Sequence, residues 1–192
     1  MSEDTKPNEL QKDGFLEEKN FKSRFVLITG EINDKLASET VKRLVALSAE
    51  SPKPINVLVS SPGGHVESGD MIHDIVKFIR APVNMIGTGW VASAGVHIYL
   101  SVPKERRFVL ENTRFLIHQP SGGAGGVASD IAIQAKEILR TRERLARIIA
   151  RETGQTVEKV SKDIERDYWM SATEAMEYGL VGKIIAHESD LG

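Results

Sequence analysis

The sequence predicts an α/β fold in which parallel strands alternate with covering helices, and three observations carry that expectation. Compact apolar runs end at turns, residues 25–29 before Gly30 and residues 55–60 before Ser61-Pro62-Gly63-Gly64. Stretches of helical period lie between such runs. No internal repeat suggests a solenoid, so the alternation reads as right-handed βαβ units around one core. The chain has 192 residues, 41% hydrophobic and 27% charged, which suits one domain with an appendage and excludes disordered, collagen-like or coiled-coil chains.

Residues 1–20 are polar and without period and read as a mobile tail, leaving residues 21–192 as the folded domain. After the first strand, Asn33 is placed to cap a helix whose Leu36, Thr40, Val41, Leu44 and Leu47 recur at helical spacing. The second helix follows the paired glycines, with Met71, Ile72, Ile75, Phe78 and Ile79 on one face, and a strand over residues 83–86 comes next. Residues 81–102 carry no Lys, Arg, Asp or Glu, but Pro82, Asn84, Thr88, Ser93, His97 and three glycines argue for buried strand, loop and helix rather than a membrane span. Residues 107–110 and 114–117 read as two short strands. Four glycines within residues 121–126 then precede residues 127–152, which contain neither Pro nor Gly and place Ile131, Ile138, Leu145 and Ile149 at near-heptad spacing. At ~1.5 Å per residue that helix is longer than the sheet requires, so it is expected to project and meet a partner. Ser171 with Glu174 forms a capping box, Gly179 stops the helix, and residues 180–185 return as a strand.

Lys and Arg number 25 against 27 Asp and Glu, a balance that does not recommend nucleic acid as a partner. Cysteine is absent, which removes thiolate nucleophiles, disulfides and sulfur-based zinc sites. No histidine pair has metal-ligand spacing, and no cofactor motif is present. The polar start of the chain lacks the apolar core of a signal peptide, so a cytoplasmic location is expected.

Four segments can carry chemistry. Ser93 lies among small neighbours in Gly-Trp-Val-Ala-Ser-Ala-Gly, where a sharp strand-to-helix turn exposes a nucleophile; the bland alternative is a helix cap. Gly63 and Gly64 can present backbone N–H groups to an oxyanion or merely make a turn. His118 ends a strand and is the best placed of five histidines; His97 is expected to pack beside Ser93, with His65, His73 and His187 solvated. Asp167, between charged and aromatic residues, can orient an imidazole or be an ordinary surface group. Spacing alone does not join the three.

Over about residues 21–186 the sequence resembles the Clp protease proteolytic subunit family, self-compartmentalised serine peptidases. The resemblance rests on Ser61-Pro62-Gly63-Gly64, Ala92-Ser93-Ala94-Gly95, Ile117-His118-Gln119-Pro120 and residues 165–172 (Glu-Arg-Asp-Tyr-Trp-Met-Ser-Ala), in order and at fitting separations. It implies a crotonase-like spiral of βαβ units, with residues 127–152 as a projecting handle helix between two stacked heptameric rings. Ser93 is then the nucleophile, His118 the base and acid, Asp167 the orienting carboxylate, and the Gly64 and Ala94 N–H groups the oxyanion hole. Ser121 and Gly122 are expected to bind an extended peptide, and Arg166 to make an oligomer contact. An AAA+ Clp ATPase is the implied partner, and a paralogous subunit is a second. The shared fold also admits an acyl-CoA enzyme, which would use the glycines but not Ser93, His118 and Asp167 together. The sequence departs from the family's common pattern at Ala94, where Met is usual, at Asn56 and Leu58, where aromatics are common, and in the polar tail.

Overall fold

The computed structural model describes residues 9–123 and 125–191. Helix α1 (Glu9–Ser23) precedes strand β1 (Phe25–Thr29), so the segment expected as a mobile tail is helical from Glu9 onward, and residues 1–8 lie outside the described residues. Phe21 packs on the core, and Glu17 receives the guanidinium of Arg43 at 3.1 Å. Helix α2 (Asp34–Glu50) is capped as expected, Asn33 Oδ1 accepting from the Leu36 N–H at 3.0 Å, and it buries Ala37, Thr40, Leu44 and Leu47. Its last carbonyls are met by Arg24, whose Nη2 donates to Leu47 O and Ser51 O at 3.1 Å each.

Strand β2 (Ile55–Ser61), helix α3 (Val66–Phe78) and strand β3 (Val83–Ala92) complete the next crossover. On α3 the buried positions are Ser68, Gly69, Ile72, His73 and Val76. Met71 and Phe78, read from the sequence as core-facing, point outward at 45% and 82% exposure, and His73, read as solvated, is buried. The apolar stripe of α3 is narrower than its hydrophobic residues suggest because small Ser68 and Gly69 let the helix approach closely; a Cβ on Gly69 would be 3.4 Å from Ala94 Cβ.

Strand β3 runs six residues beyond the stretch expected as strand, through the glycines to Ala92. It stays extended because it has β2 on one side and two partners in succession on the other. Met85 to Gly87 pair with strand β4 (Arg107–Leu110), and Trp90 to Ala92 pair with strand β5 (Arg114–Ile117). The parallel order is β1-β2-β3-β4-β7, with β7 at Lys183–Ile185, while strand β6 (Tyr168–Ser171) runs antiparallel to β5. Splitting β3 between two neighbours turns the sheet into a spiral and sends β5 toward the helix that follows β3, α4 (Ala94–Tyr99).

Helix α5 (Ala128–Thr153) matches the long expected helix to within one residue and ends at left-handed Gly154. Its buried positions, Ala146, Ile149 and Ala150, all lie toward its end, and its opening turns project with Ile131 and Ile133 exposed. The seated end is fixed by Arg107, itself 1% exposed, whose guanidinium reaches Glu152 Oε2 at 2.6 Å and Glu152 O at 2.8 Å. Helix α6 (Val157–Asp163), capped by Thr156, follows without having been anticipated. Helix α7 (Ala172–Tyr178) carries the expected capping box from Ser171 and the expected stop at Gly179. No helix of the described residues is long and apolar enough to cross a membrane.

Candidate active site

Ser93 stands where β3 breaks into α4, with φ 54° and ψ −119°. An L side chain rarely adopts that backbone conformation, at a cost of about 1–3 kcal/mol, and such strain persists only where neighbours enforce it. Here they do: the Ser93 N–H donates to Leu116 O at 2.9 Å, extending the β3–β5 ladder past the end of the strand. Ser93 occupies the position before α4, yet its side chain makes no capping hydrogen bond, which removes the bland reading of this serine.

The Ser-Pro-Gly-Gly loop is pressed against the same turn. A Cβ on Gly63 would fall 2.6 Å from Ser93 Cβ and 2.9 Å from Ala92 O, and one on Gly64 would fall 2.2 Å from Ile32 O, so neither position admits a side chain. Ser61 holds the loop from within, its hydroxyl donating to Gly30 O at 2.6 Å and accepting from the Gly63 N–H at 3.0 Å. Gly64 itself bridges to Ile32 through its neighbours, with Ile32 N–H donating to Gly63 O and His65 N–H to Ile32 O, both at 2.8 Å. That leaves the Gly64 N–H without an acceptor among the described residues, and the Ala94 N–H opens α4, where no intrahelical acceptor exists.

Strand β5 gathers the other two groups. Its parallel register with β3 pairs Ala92 with Leu116, so the residues after them, Ser93 and Ile117, lie abreast, with His118 next. Its antiparallel register with β6 pairs Ile117 with Tyr168, so His118 and Asp167 meet across the ladder. The imidazole Nδ1 is 3.3 Å from Asp167 Oδ1. The loop beyond is pinned to the same segment, Gln119 N–H donating to Ile164 O at 2.6 Å and Gln119 Nε2 to Glu165 O at 2.9 Å. Ser93 and His118 line one mostly apolar cavity with Ala94, His97, Ile117 and Leu145, although no hydrogen bond joins their side chains among the described residues.

A second groove, which His118 also lines, brings in the remaining expected residues. Ser121, Gly122 and Arg166 line it together with Asp167. His97 packs beneath Ser93 as anticipated, while His65 and His187 are exposed. Sequence reasoning missed Asp70 and Arg144, whose side chains meet at 2.7 Å next to His97. They are 74 positions apart, and no local pattern links them.

The Clp protease family model matches residues 14–188. A relative from Rhizobium johnstonii, ATP-dependent Clp protease proteolytic subunit 3, is 56% identical over 98% of this chain and 97% of its own. ATP-dependent Clp protease proteolytic subunit 2 of Gluconobacter oxydans is 60% identical over 92% of this chain and 80% of its own. Among solved structures, ClpP1 from Listeria monocytogenes superposes with a TM-score of 0.84 at 50% identity, covering 92% of this chain and 99% of that one.

Proposed function

The chain belongs to the Clp protease family, and on that premise we propose that it is the proteolytic subunit of an ATP-dependent protease, a serine endopeptidase acting through Ser93, His118 and Asp167. One observation carries the reading: a strained serine with a side chain not spent on capping shares a cavity with a histidine that faces a carboxylate. Ser93 Oγ attacks the peptide carbonyl as His118 takes its proton, and Asp167 holds the ring and stabilises the imidazolium. The Gly64 and Ala94 N–H groups receive the oxyanion; a donor of this kind is typically worth ~10² to 10³ in turnover. His118 then protonates the leaving amine, and water attacks the acyl ester by the reverse path. No hydrogen bond yet links Ser93 to His118, a contact that free enzymes often tighten only on binding substrate or completing their assembly.

The extended substrate adds as a strand along Ser121 and Gly122, where a glycine-rich backbone offers main-chain partners. The exposed opening turns of α5 pack against a second ring of the same chain in two stacked heptamers, with Arg166 beside Asp167 contributing to that contact. An AAA+ unfoldase in the cytoplasm feeds the chamber. Its docking face is altered here: Asn56 Oδ1 accepts from Asn84 Nδ2 at 2.9 Å and Asn84 Oδ1 from Arg106 at 2.8 Å, whereas Leu58 packs by Ile86 and Phe108. That polar edge favours an additional role for the chain as one member of a mixed ring with a paralogous subunit.

The test is hydrolysis of a fluorogenic peptide and of an unfolded protein by the full chain and by Ser93→Ala. The expected result is loss of both activities with the ring mass unchanged. Equal hydrolysis by the variant overturns the assignment.

A further inference from the structure

A charged cluster that the acyl-transfer chemistry does not use lies beneath the cavity shared by Ser93 and His118. His97, one helical turn beyond Ser93 on α4, lines that cavity, and its Nε2 stands 2.8 Å from Asp70 Oδ1 on α3. Asp70 also receives Arg144 of α5 in a two-pronged contact, both nitrogen–oxygen distances being 2.7 Å. Leu145 and Ile149, on the same stretch of α5, line the same cavity as His97. One carboxylate therefore connects three helices.

The polar atoms of His97 have little else to hold them. Neither of its nitrogens makes a hydrogen bond of regular geometry among the described residues, so Nε2 meets Asp70 at close range but off the N–H axis. Its face stacks on His73, ring centroids 4.3 Å apart and planes within 10°. Both imidazole side chains are 6% exposed. Stacking sets the distance between the two rings, whereas the carboxylate at Nε2 and the forked guanidinium behind it hold that edge of the ring against α3 and α5.

We propose that Asp70 is a positioning residue of the peptidase site: holding His97 on one side and Arg144 on the other, it sets the spacing of α4 and α5 and hence the width of the cavity that receives the side chain preceding the cut. The inference rests on the reading of Ser93 as nucleophile. A plain interhelical tie would support stability alone; a positioning residue also governs which substrates are cleaved.

The experiment compares the full chain with Asp70→Asn and with the charge exchange Asp70→Arg/Arg144→Asp. One readout is the rate at which a small fluorophosphonate, which does not fill the cavity, labels Ser93. The other is the ratio of kcat/KM for two fluorogenic peptides, with leucine or alanine before the cut, a ratio that a reduced folded fraction cannot move. For Asp70→Asn the labelling rate is expected to stay within about twofold while the leucine-to-alanine ratio falls roughly ten- to a hundredfold. The charge exchange restores the melting temperature but not the ratio, because it leaves no carboxylate at position 70 against the imidazole. If Asp70→Asn does not fold, Arg144→Lys, which keeps the charge and loses the fork, must lower the same ratio. An unchanged ratio in labelled protein, or a ratio restored by the exchange, overturns this inference alone. A native chain that is not labelled at Ser93 overturns the peptidase reading and this inference with it.

Discussion

Asp167 faces His118 across the β5–β6 ladder, its Oδ1 3.3 Å from the imidazole Nδ1. The pair is set by backbone register, since the neighbouring residues Ile117 and Tyr168 are ladder partners. Removing the carboxylate's charge while keeping its shape should therefore leave the fold intact. Asp167→Asn is expected to lower kcat by about 10³ to 10⁴, as loss of the orienting carboxylate does in a Ser-His-Asp set. Because the Asp167 side chain is 63% exposed, denaturant unfolding should shift by no more than about 0.5 kcal/mol. Unaltered kcat would deny Asp167 the orienting role.

The strain at Ser93 separates two substitutions that both delete the hydroxyl. With φ at 54° and ψ at −119°, glycine relaxes the turn and alanine does not. After glycine's added unfolded-state entropy, Ser93→Gly should be about 1 kcal/mol more stable than Ser93→Ala. Both should be inactive. Equal melting temperatures for the two variants would show that the turn stores no strain.

Gly63 meets the same turn from the opposite side. Its φ is 95°, and an added Cβ would lie 2.6 Å from Ser93 Cβ with backbone atoms of residues 92 and 94 close behind. Gly63→Ala should destabilise the protein by about 1–3 kcal/mol through overpacking and the unfavourable φ, and should displace the Ala94 N–H. Slower acylation of Ser93 together with a lower unfolding midpoint is the expected pair of results. A variant with native values for both would mean that the loop yields without disturbing the elbow.

The legible part of this molecule is its local chemistry. The strand at residues 25–29, the Asn33 cap, the box from Ser171 to Glu174 and the stop at Gly179 each depend on residues within a few positions, and each is present in the fold. Helix α1 was not legible, because Phe21 and Glu17 find their partners only once the core and Arg43 are in place. His73 was read as solvated because nothing near it announces that α4 will bring His97 onto its ring. That Ser93 and His118 line one cavity while Asp167 faces His118 depends on two registers, one parallel and one antiparallel, that no spacing along the chain encodes.

His73 gives the stability an acid limb. Burial disfavours its charged form and holds its pKa below the ordinary 6.5; the contact with Asp74 opposes this, while His97 and Lys77 reinforce it. The unfolded chain takes up a proton near that ordinary value and the folded chain resists, so the contribution is complete above pH 6.5 and is lost as pH falls below it. Melting temperature should decline with acidification from pH 6.5 more steeply in the native chain than in His73→Phe, which keeps the stack without the titration. Parallel curves would assign the acid limb to other groups.

Peptide cleavage by this chain requires Ser93 to be an activated nucleophile, and covalent capture reads that property most directly. The full chain is treated with a fluorophosphonate, digested, and the adduct mapped by mass spectrometry, with His118→Ala as the parallel sample. The expected outcome is one adduct per chain, carried by Ser93 and greatly reduced without His118. An adduct on another residue, or none on Ser93 while peptides are still cleaved, would contradict it.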